Sequence, residues 1–249
     1  MKAESLCRVA LVTGFFVLLE VLCRTGVIGI TTMPAPSLMV MHTLDVFHDG
    51  KFDLDIATSA IEIVAASLLS IVLGFLCGLV LHSLPQARRA IEPALSSYYA
   101  IPTFIFYPVF IVLFGVGKPP IIALAVVLAI VAMVTATLNG LDRLPRALVR
   151  SAQVMRLPPW KSVLQVKLPA TLPYLFTGVK LSVSYAVIGV IASEFILSGQ
   201  GVGYAIGYAY NNFQNDDMYA LMLIVLVFVT VVNSVLNAMH RRFQSRIQR

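Results

Sequence analysis

Three long stretches without a Lys, Arg, Asp or Glu residue constrain the fold more than any other feature of this sequence. They cover residues 63–84, 119–138 and 218–239. A helix needs about 20 apolar residues to cross a hydrocarbon core about 30 Å thick, and each stretch is long enough. Because a lipid core offers no water to unpaired backbone groups, such stretches cross it as helices. The sequence therefore predicts membrane-spanning helices.

Three further apolar stretches bring the expected number of crossings to about six. They lie at about 9–30, 94–114 and 173–197. The middle one contains Pro102 and Pro108, which predict a kinked helix inside a bundle. The chain is 59% hydrophobic and 12% charged, against about 45–50% and about 25% in soluble domains. We therefore predict an all-α polytopic membrane protein with about six transmembrane helices, and an ordinary soluble fold is excluded.

The basic residues indicate how these crossings are oriented. They concentrate in the N-terminus, the loop at 85–92, the segment 139–172 and the C-terminus, whereas the opposite loops carry mostly Asp. Cationic loops remain cytoplasmic, so both termini are expected inside. Four regions follow: a cytoplasmic tail with the first helix (1–32), an external loop (33–55), a transmembrane core (56–240) and a basic cytoplasmic tail (241–249).

Residues 139–172 form the longest polar region, on the expected cytoplasmic side. Helix-forming residues predict a helix over 146–157, which Pro158 and the proline after it end. A second short helix is expected from Trp160, ending before Pro169. Three interpretations stay open for this segment from its charge alone: an interfacial helix on anionic lipid, a plain basic loop, or a docking site for a cytoplasmic partner.

Several classes of function lack the residues that they need. The net charge of +6 is explained by cationic loops, so nucleic acid is not an expected partner. The three cysteines have no paired spacing that indicates a zinc site or a disulfide framework. There is no G-x4-G-K-[ST] phosphate loop, so this chain is not expected to hydrolyse ATP. No nucleophile–base–acid set is recognisable, and no catalytic residue, metal or cofactor is expected.

The order of motifs along residues 33–240 resembles the inner-membrane permease subunits of bacterial ABC importers. The similar group handles nitrate, sulfonates, taurine and thiamine or riboflavin precursors. Its cytoplasmic signature, the EAA loop, has the form E-A-A-x3-G-x9-I-x-L-P. The matching segments here are RSAQ (150–153), RLPPW (156–160) and VKLPATLP (166–173). The family's G-x-[RK]-L run and G-x-G turn follow, at 178–181 and 201–203.

The resemblance implies a type I ABC importer permease architecture in which the cytoplasmic segment is a coupling helix. The residues expected to couple to an ATPase are Arg150, Ser151, Ala152, Gln153, Arg156, Leu157, Pro158, Trp160 and Pro169. Two of them depart from the family pattern, since Arg150 replaces its Glu and Arg156 replaces its loop Gly. Because glycine tolerates backbone angles that other residues avoid, we expect Arg156 to reshape the turn. The reversed charge fits an ATPase with an acidic groove.

Four residues are candidates for the pathway or its gate: Lys180, Glu194, Gly201 and Gly203. Lys180 has two interpretations, a side chain that extends to the cytoplasmic interface and one that faces an anionic solute. Glu194 also has two, since intramembrane acids line aqueous cavities or pair within a bundle. Gly201 and Gly203 match the family's turn.

The resemblance also implies partners and a location. A cytoplasmic ABC ATPase dimer drives such permeases, a second permease copy completes the pathway, and a periplasmic or external solute-binding protein delivers the solute. The expected location is the bacterial inner membrane, with lipid around the helices. Two alternatives remain: an ion-coupled secondary transporter, which needs ionisable residues near the midplane, and a membrane scaffold that transports nothing.

Overall fold

The computed structural model describes residues 2–29 and 32–247, which are predominantly helical. The α-helices, in chain order, are α1 (Lys2–Arg24), α2 (Pro36–Asp49), α3 (Asp53–Ser83), α4 (Pro85–Ser97), α5 (Tyr107–Phe114), α6 (Lys118–Asp142), α7 (Arg146–Val154), α8 (Pro159–Ser162), α9 (Leu168–Leu197), α10 (Val202–Asn211) and α11 (Asn215–Ile247). Two 3₁₀ turns, Tyr98–Ala100 and Thr103–Phe106, lie between α4 and α5.

Within the described residues, four helical stretches are long and apolar enough to cross a membrane. They are Asp53–Ser83, Lys118–Asp142, Trp160–Leu197 and Asn215–Arg241. The expected 94–114 crossing falls within two helical stretches, Pro85–Ala100 and Thr103–Phe114, which are bent by 101° relative to each other. Counted together, they make a fifth crossing. The kink expected there is therefore a sharp break, next to Pro102. The first expected crossing, at about 9–30, overlaps α1 over residues 9–24 and reaches residue 30, outside the described residues; the count of six stays a prediction.

The chain divides into two compact units whose boundaries fall inside helices. One comprises residues 1–58 and 194–228, and the other comprises residues 59–193 and 229–249. In the second unit α3, α6 and α9 share a core of small and branched side chains: Ile63, Ala66, Ile121, Ala125, Ala129, Ala186, Val187 and Val190.

Glycines allow the helices of the second unit to approach closely. A Cβ built on Gly74 lies 2.7 Å from the Cβ of Met133, so α3 and α6 touch where only glycine fits. On α9, a Cβ at Gly178 lies 2.5 Å from the Cβ of Ala136 on α6. Small residues at interfaces are the means by which membrane helices gain close packing, since lipid tails supply no hydrophobic drive between them. The buried hydroxyl of Ser182 adds a 3.2 Å hydrogen bond to the carbonyl of Ala129.

Ion pairs and hydrogen bonds hold the helices of the first unit. Glu20 pairs with Arg24 one turn away at 2.6 Å and also accepts hydrogen bonds from the amide and hydroxyl of Ser37, at the start of α2. Asp217 on α11 accepts from the ammonium of Lys51 at 2.5 Å and contacts His42 at 3.0 Å. These polar contacts connect α1 to α2 and α11 to α2 and the loop that follows α2.

The segment between α6 and α9 differs from the sequence-based expectation in two places. Helix α7 ends at Val154 rather than at 157, because the chain reverses before it reaches the prolines. The second helix begins at Pro159 and does not end before Pro169. It continues through a π-helical turn, Val163–Lys167, into α9. The amide of Leu168 donates a hydrogen bond to the carbonyl of Val163, five residues back. Pro169 has no amide hydrogen to donate, and the wider π turn lets the helix continue through it.

Candidate functional site

Helix α7 presents apolar and basic side chains on its exposed face. Val154 is 83% exposed and Met155, the residue that follows the helix, is 69% exposed. Arg150 and Gln153 are exposed beside them. Ala152, the residue that matches the family signature best, is only 3% exposed and packs inside the chain. The exposed face therefore consists of residues next to Ala152, and Ala152 itself packs α7 against the rest of the chain.

A left-handed turn ends α7. Arg156 has φ of 49°, in the region that favours glycine. Its amide donates to the carbonyl of Gln153 at 2.9 Å, and the amide of Leu157 donates to the carbonyl of Ala152 at 3.1 Å. This pair of hydrogen bonds is the Schellman pattern, which satisfies the last carbonyls of a helix. Arg156 therefore has a backbone conformation that glycine adopts without strain, and the reshaping of the turn relative to the family stays a prediction.

The residues after this turn continue the exposed surface. Trp160 is 59% exposed, and the ammonium of Lys161 lies 5.4 Å from the centre of its ring. Pro158 and Pro169 are exposed and Leu157 is half-buried. After the role expected for them from the sequence, we call the exposed residues of 150–160 the coupling surface: Arg150, Ser151, Gln153, Val154, Met155, Arg156, Pro158 and Trp160.

Behind α7 lies a pocket of about 300 Å³ that is lined by two cationic side chains and a histidine. Arg150, His82 and Lys167 line it together with three aliphatic side chains. The carboxylate of Asp142, close by, accepts two hydrogen bonds from Arg88 at 2.7 and 2.6 Å and lies 3.5 Å from His82. Asp142 is thus already paired with Arg88, and the pocket wall next to Arg150 is electropositive.

Of the candidate pathway residues, Lys180 joins two helices. Its ammonium donates to the side-chain oxygen of Asn237 at 2.8 Å, which links α9 to α11. One turn further along α9, the hydroxyl of Ser184 donates to Asn233 at 3.2 Å. Lys180 is therefore part of a row of polar contacts between α9 and α11. Its partner Asn237 gave no signal in the sequence, because an isolated Asn near a helix end has many ordinary explanations.

The other three pathway candidates form one cluster. Glu194 is fully buried, and its carboxylate accepts a 2.8 Å hydrogen bond from the amide of Gly203, in the first turn of α10. Gly201 has φ of 103°, and a Cβ there would lie 2.4 Å from the carboxyl carbon of Glu194. The amide of Gly201 donates to Asp55 at 2.8 Å. Two carboxylates therefore cap the start of α10, which favours the structural interpretation of Glu194.

Asp55 was not singled out from the sequence. It lies 146 residues before the glycine that it contacts, and in the sequence it is one of several acids in an external loop. Among the described residues, no group of three or more His, Cys, Asp or Glu side chains is arranged to hold a metal ion.

Comparison with known proteins gives consistent matches. Residues 70–249 match the family described as binding-protein-dependent transport system inner membrane component. A Haemophilus influenzae protein named as an ABC transporter permease is 34% identical over 140 residues, which are 55% of this chain and 57% of the relative. The formylaminopyrimidine transport permease protein ThiX of Halalkalibacterium halodurans is 30% identical over 172 residues, 69% of this chain and 68% of the relative.

Solved structures share the fold. A chain of the MetNI methionine ABC transporter, in an inward-facing conformation, superposes with a TM-score of 0.67 at 20% sequence identity. The match covers 76% of this chain and 94% of that chain. At this level of identity the likeness concerns the arrangement of helices and not the identity of the solute.

Proposed function

This chain belongs to the family of binding-protein-dependent transport system inner membrane components, and on that premise we propose that it is the permease subunit of an ATP-driven importer. It forms the membrane pathway for a small solute by alternating access. The solute belongs to the nitrate, sulfonate and taurine class or to the vitamin-precursor class. The energy comes from a separate cytoplasmic ATPase dimer, so the chain itself is a transport subunit and not an enzyme.

The observation that carries this proposal is the coupling surface. Large apolar side chains, Val154 and Met155, are exposed beside Arg150 on a short helix in the most basic segment of the chain. Exposed apolar groups rimmed by polar ones mark interaction sites. Between residues 143 and 193 the sequence contains no Asp or Glu. A partner that covers this surface therefore presents apolar and acidic groups, and the ATPase dimer is that partner.

The connection between the coupling surface and the crossings supports a lever mechanism. Trp160–Leu197 is one continuous helical stretch of 38 residues, so a displacement at its first turn moves the membrane-spanning part of α9. An ATPase shifts the equilibrium between two permease states only if it contacts the surface with different energies in each. Closure of the ATPase dimer on ATP changes those contacts, and the π turn at Val163–Lys167 lies between the surface and the span.

The proposal places the chain with three partners in a bacterial inner membrane. A second copy of the permease, alongside the first, completes the pathway. An external solute-binding protein delivers the solute to the side opposite the coupling surface. Both termini lie on the side of the ATPase, in agreement with the basic loops.

Reversal of one charge on the coupling surface tests this proposal. With Arg150→Glu, we expect association with the chain's own ATPase to weaken at least tenfold, because like charges across an interface cost several kcal/mol. The control is Arg89→Glu, which reverses an exposed arginine in α4 that is not part of the coupling surface. Association is measured by titration of the detergent-solubilised permease with the purified ATPase. If Arg150→Glu binds the ATPase as tightly as the wild type, α7 is not the docking site.

A further inference from the structure

We propose that a groove between α6 and α9 is a transit site for a small, uncharged, planar heteroaromatic solute, an inference that rests on the proposed transport function. The groove has a volume of about 270 Å³, close to the lower end of the range of roughly 300–1,000 Å³ that ligand pockets occupy. The lining residues that carry the argument are Tyr99, Thr135, Asn139, Tyr174, Thr177 and Tyr185. Alanine and leucine side chains complete the lining.

The groove follows the line along which α6 and α9 touch. Gly178 fits against Ala136, and a Cβ at Gly140 would lie 3.0 Å from the Cβ of Tyr174. Because the two helix backbones approach so closely, the larger side chains on either side of the contact extend beyond it and line the two sides of the groove. Tyr174, Thr177 and Tyr185 lie on one side of α9, at spacings of three and eight residues, and span roughly 16 Å along the helix.

The polar wall of this groove is unsuited to lipid. Thr135 and Thr177 are exposed although they lie inside the expected crossings 119–138 and 173–197. Asn139, also exposed, follows directly after the first of these crossings. An amide or hydroxyl in contact with lipid tails costs free energy, and polar side chains in crossings face the bundle interior or a water-filled cavity. By contrast, the exposed face of α3 is aliphatic, with Leu68 and Val72. The groove is therefore a water-accessible part of the protein, whereas α3 faces lipid.

The aromatic wall indicates which solute fits. The rings of Tyr99 and Tyr185 are stacked, with centres 5.0 Å apart and planes 23° apart. The backbone at Tyr99 is anchored to α6, because the hydroxyl of the neighbouring Tyr98 donates a hydrogen bond to the carbonyl of Val127. Tyr99 remains 46% exposed, so a flat ring can extend the stack. Offset-stacked aromatic rings are a favoured arrangement.

The absence of charge excludes the anionic solute class. None of the described residues that line the groove is an Asp, Glu, Lys, Arg or His. Lys180 is engaged with Asn237 on α11, and the guanidinium of Arg143 lies over the ring of Tyr174 without lining the groove. A nitrate or sulfonate ion would meet no cationic side chain on this lining, so nothing there would compensate for the water molecules that it gives up on contact. A neutral heterocycle loses much less, and the Asn and Thr groups supply the hydrogen bonds that it needs.

The test is thiol accessibility in membrane vesicles that hold the permease assembled with its ATPase. In a background with Cys7, Cys23 and Cys77 replaced by alanine, Thr135→Cys and Thr177→Cys are each treated with a charged, water-soluble methanethiosulfonate reagent. We expect both cysteines to be labelled. Cytosine at about 10 mM, used as a neutral aminopyrimidine probe, should slow the labelling about threefold or more, which is the modest effect expected of one stacked ring. Nitrate and taurine should leave the rate unchanged. Val72→Cys, on the aliphatic face of α3, is the control and should not react.

Two tyrosine variants separate ring stacking from a general effect of the probe. Tyr185→Ala should abolish the protection by cytosine and Tyr185→Phe should retain it. The proposal is overturned if neither threonine position reacts, which would mean that a second copy or lipid covers the groove. It is equally overturned if no probe slows labelling, or if nitrate or taurine slows it as much as cytosine does. Association with the ATPase, measured on the same preparations, reports on the transport proposal separately, because it does not depend on the groove.

Discussion

At the scale of single residues, Arg156 adopts a left-handed backbone conformation that glycine adopts without strain. Its φ of 49° costs free energy because the Cβ of an L-residue crowds the following carbonyl oxygen there. The two hydrogen bonds that end α7 compensate part of that cost. The arginine is therefore retained at the expense of local stability, and it adds a positive charge to the coupling surface.

Arg156→Gly should make this turn more stable. Removal of the Cβ relieves about 1 kcal/mol of backbone strain, so the amide of Leu157 should exchange with solvent hydrogen about fivefold more slowly. Hydrogen exchange followed by mass spectrometry measures this rate. Arg156→Ala is the control, since it removes the charge and keeps the Cβ, and it should exchange like the wild type. Faster exchange in the glycine variant would show that the turn is held by the arginine side chain instead.

Gly201 is the residue whose replacement should cost most. An added methyl group at Gly201→Ala would collide with the Glu194 carboxyl group at 2.4 Å and would sit at φ of 103°. We expect a loss of about 2 kcal/mol or more, which is roughly 4–8 °C in melting temperature for a chain of this size. The measurement is thermal unfolding in detergent. Gly199→Ala is the matched control, because its Cβ would meet nothing within 4 Å; equal melting temperatures for the two variants would refute the capping role of Glu194.

At the scale of elements, the structure of residues 146–169 was predicted from the sequence only in part. The periodicity of apolar residues predicted a helix after residue 146, and Pro158 suggested where it ended. The true end at Val154 follows from the left-handed turn at Arg156, and a propensity scale does not favour such a turn at an arginine. The continuous helix through Pro169 was missed for a similar reason. A π turn lets a helix accept a proline, but only the backbone shows that it forms.

Val154→Asp and Met155→Asp should each disrupt the coupling surface without affecting the fold. Both side chains are more than two-thirds exposed, so a carboxylate there stays in water until a partner arrives. Burying it against the ATPase then costs free energy, and we expect at least a tenfold loss of permease-dependent ATPase stimulation. The control is Val116→Asp, which changes an 86% exposed residue in the loop before α6 and should retain stimulation. Full stimulation in both α7 variants would mean that the ATPase binds elsewhere.

At the scale of the whole molecule, the sequence was sufficient for the class of protein and for its family. Uncharged stretches of crossing length, such as 119–138, lie within apolar helices of the structure, and the motifs of 150–203 led to the family that the comparison supports. Contacts between residues far apart were out of reach. The bond from Gly201 to Asp55 joins positions 146 residues apart, and the groove along α6 and α9 depends on a close approach of these helices that glycines permit. A single sequence does not report that approach.

We propose that ATP hydrolysed by another subunit drives transport through α7 and α9. The most direct measurement is accumulation of the solute carried by the external binding protein, in proteoliposomes that contain this chain and its ATPase. Ion gradients are removed with ionophores. We predict that accumulation requires ATP on the ATPase side, persists without ion gradients, and is lost with Met155→Asp. Accumulation that needs no ATP and follows an imposed proton or sodium gradient would contradict the account.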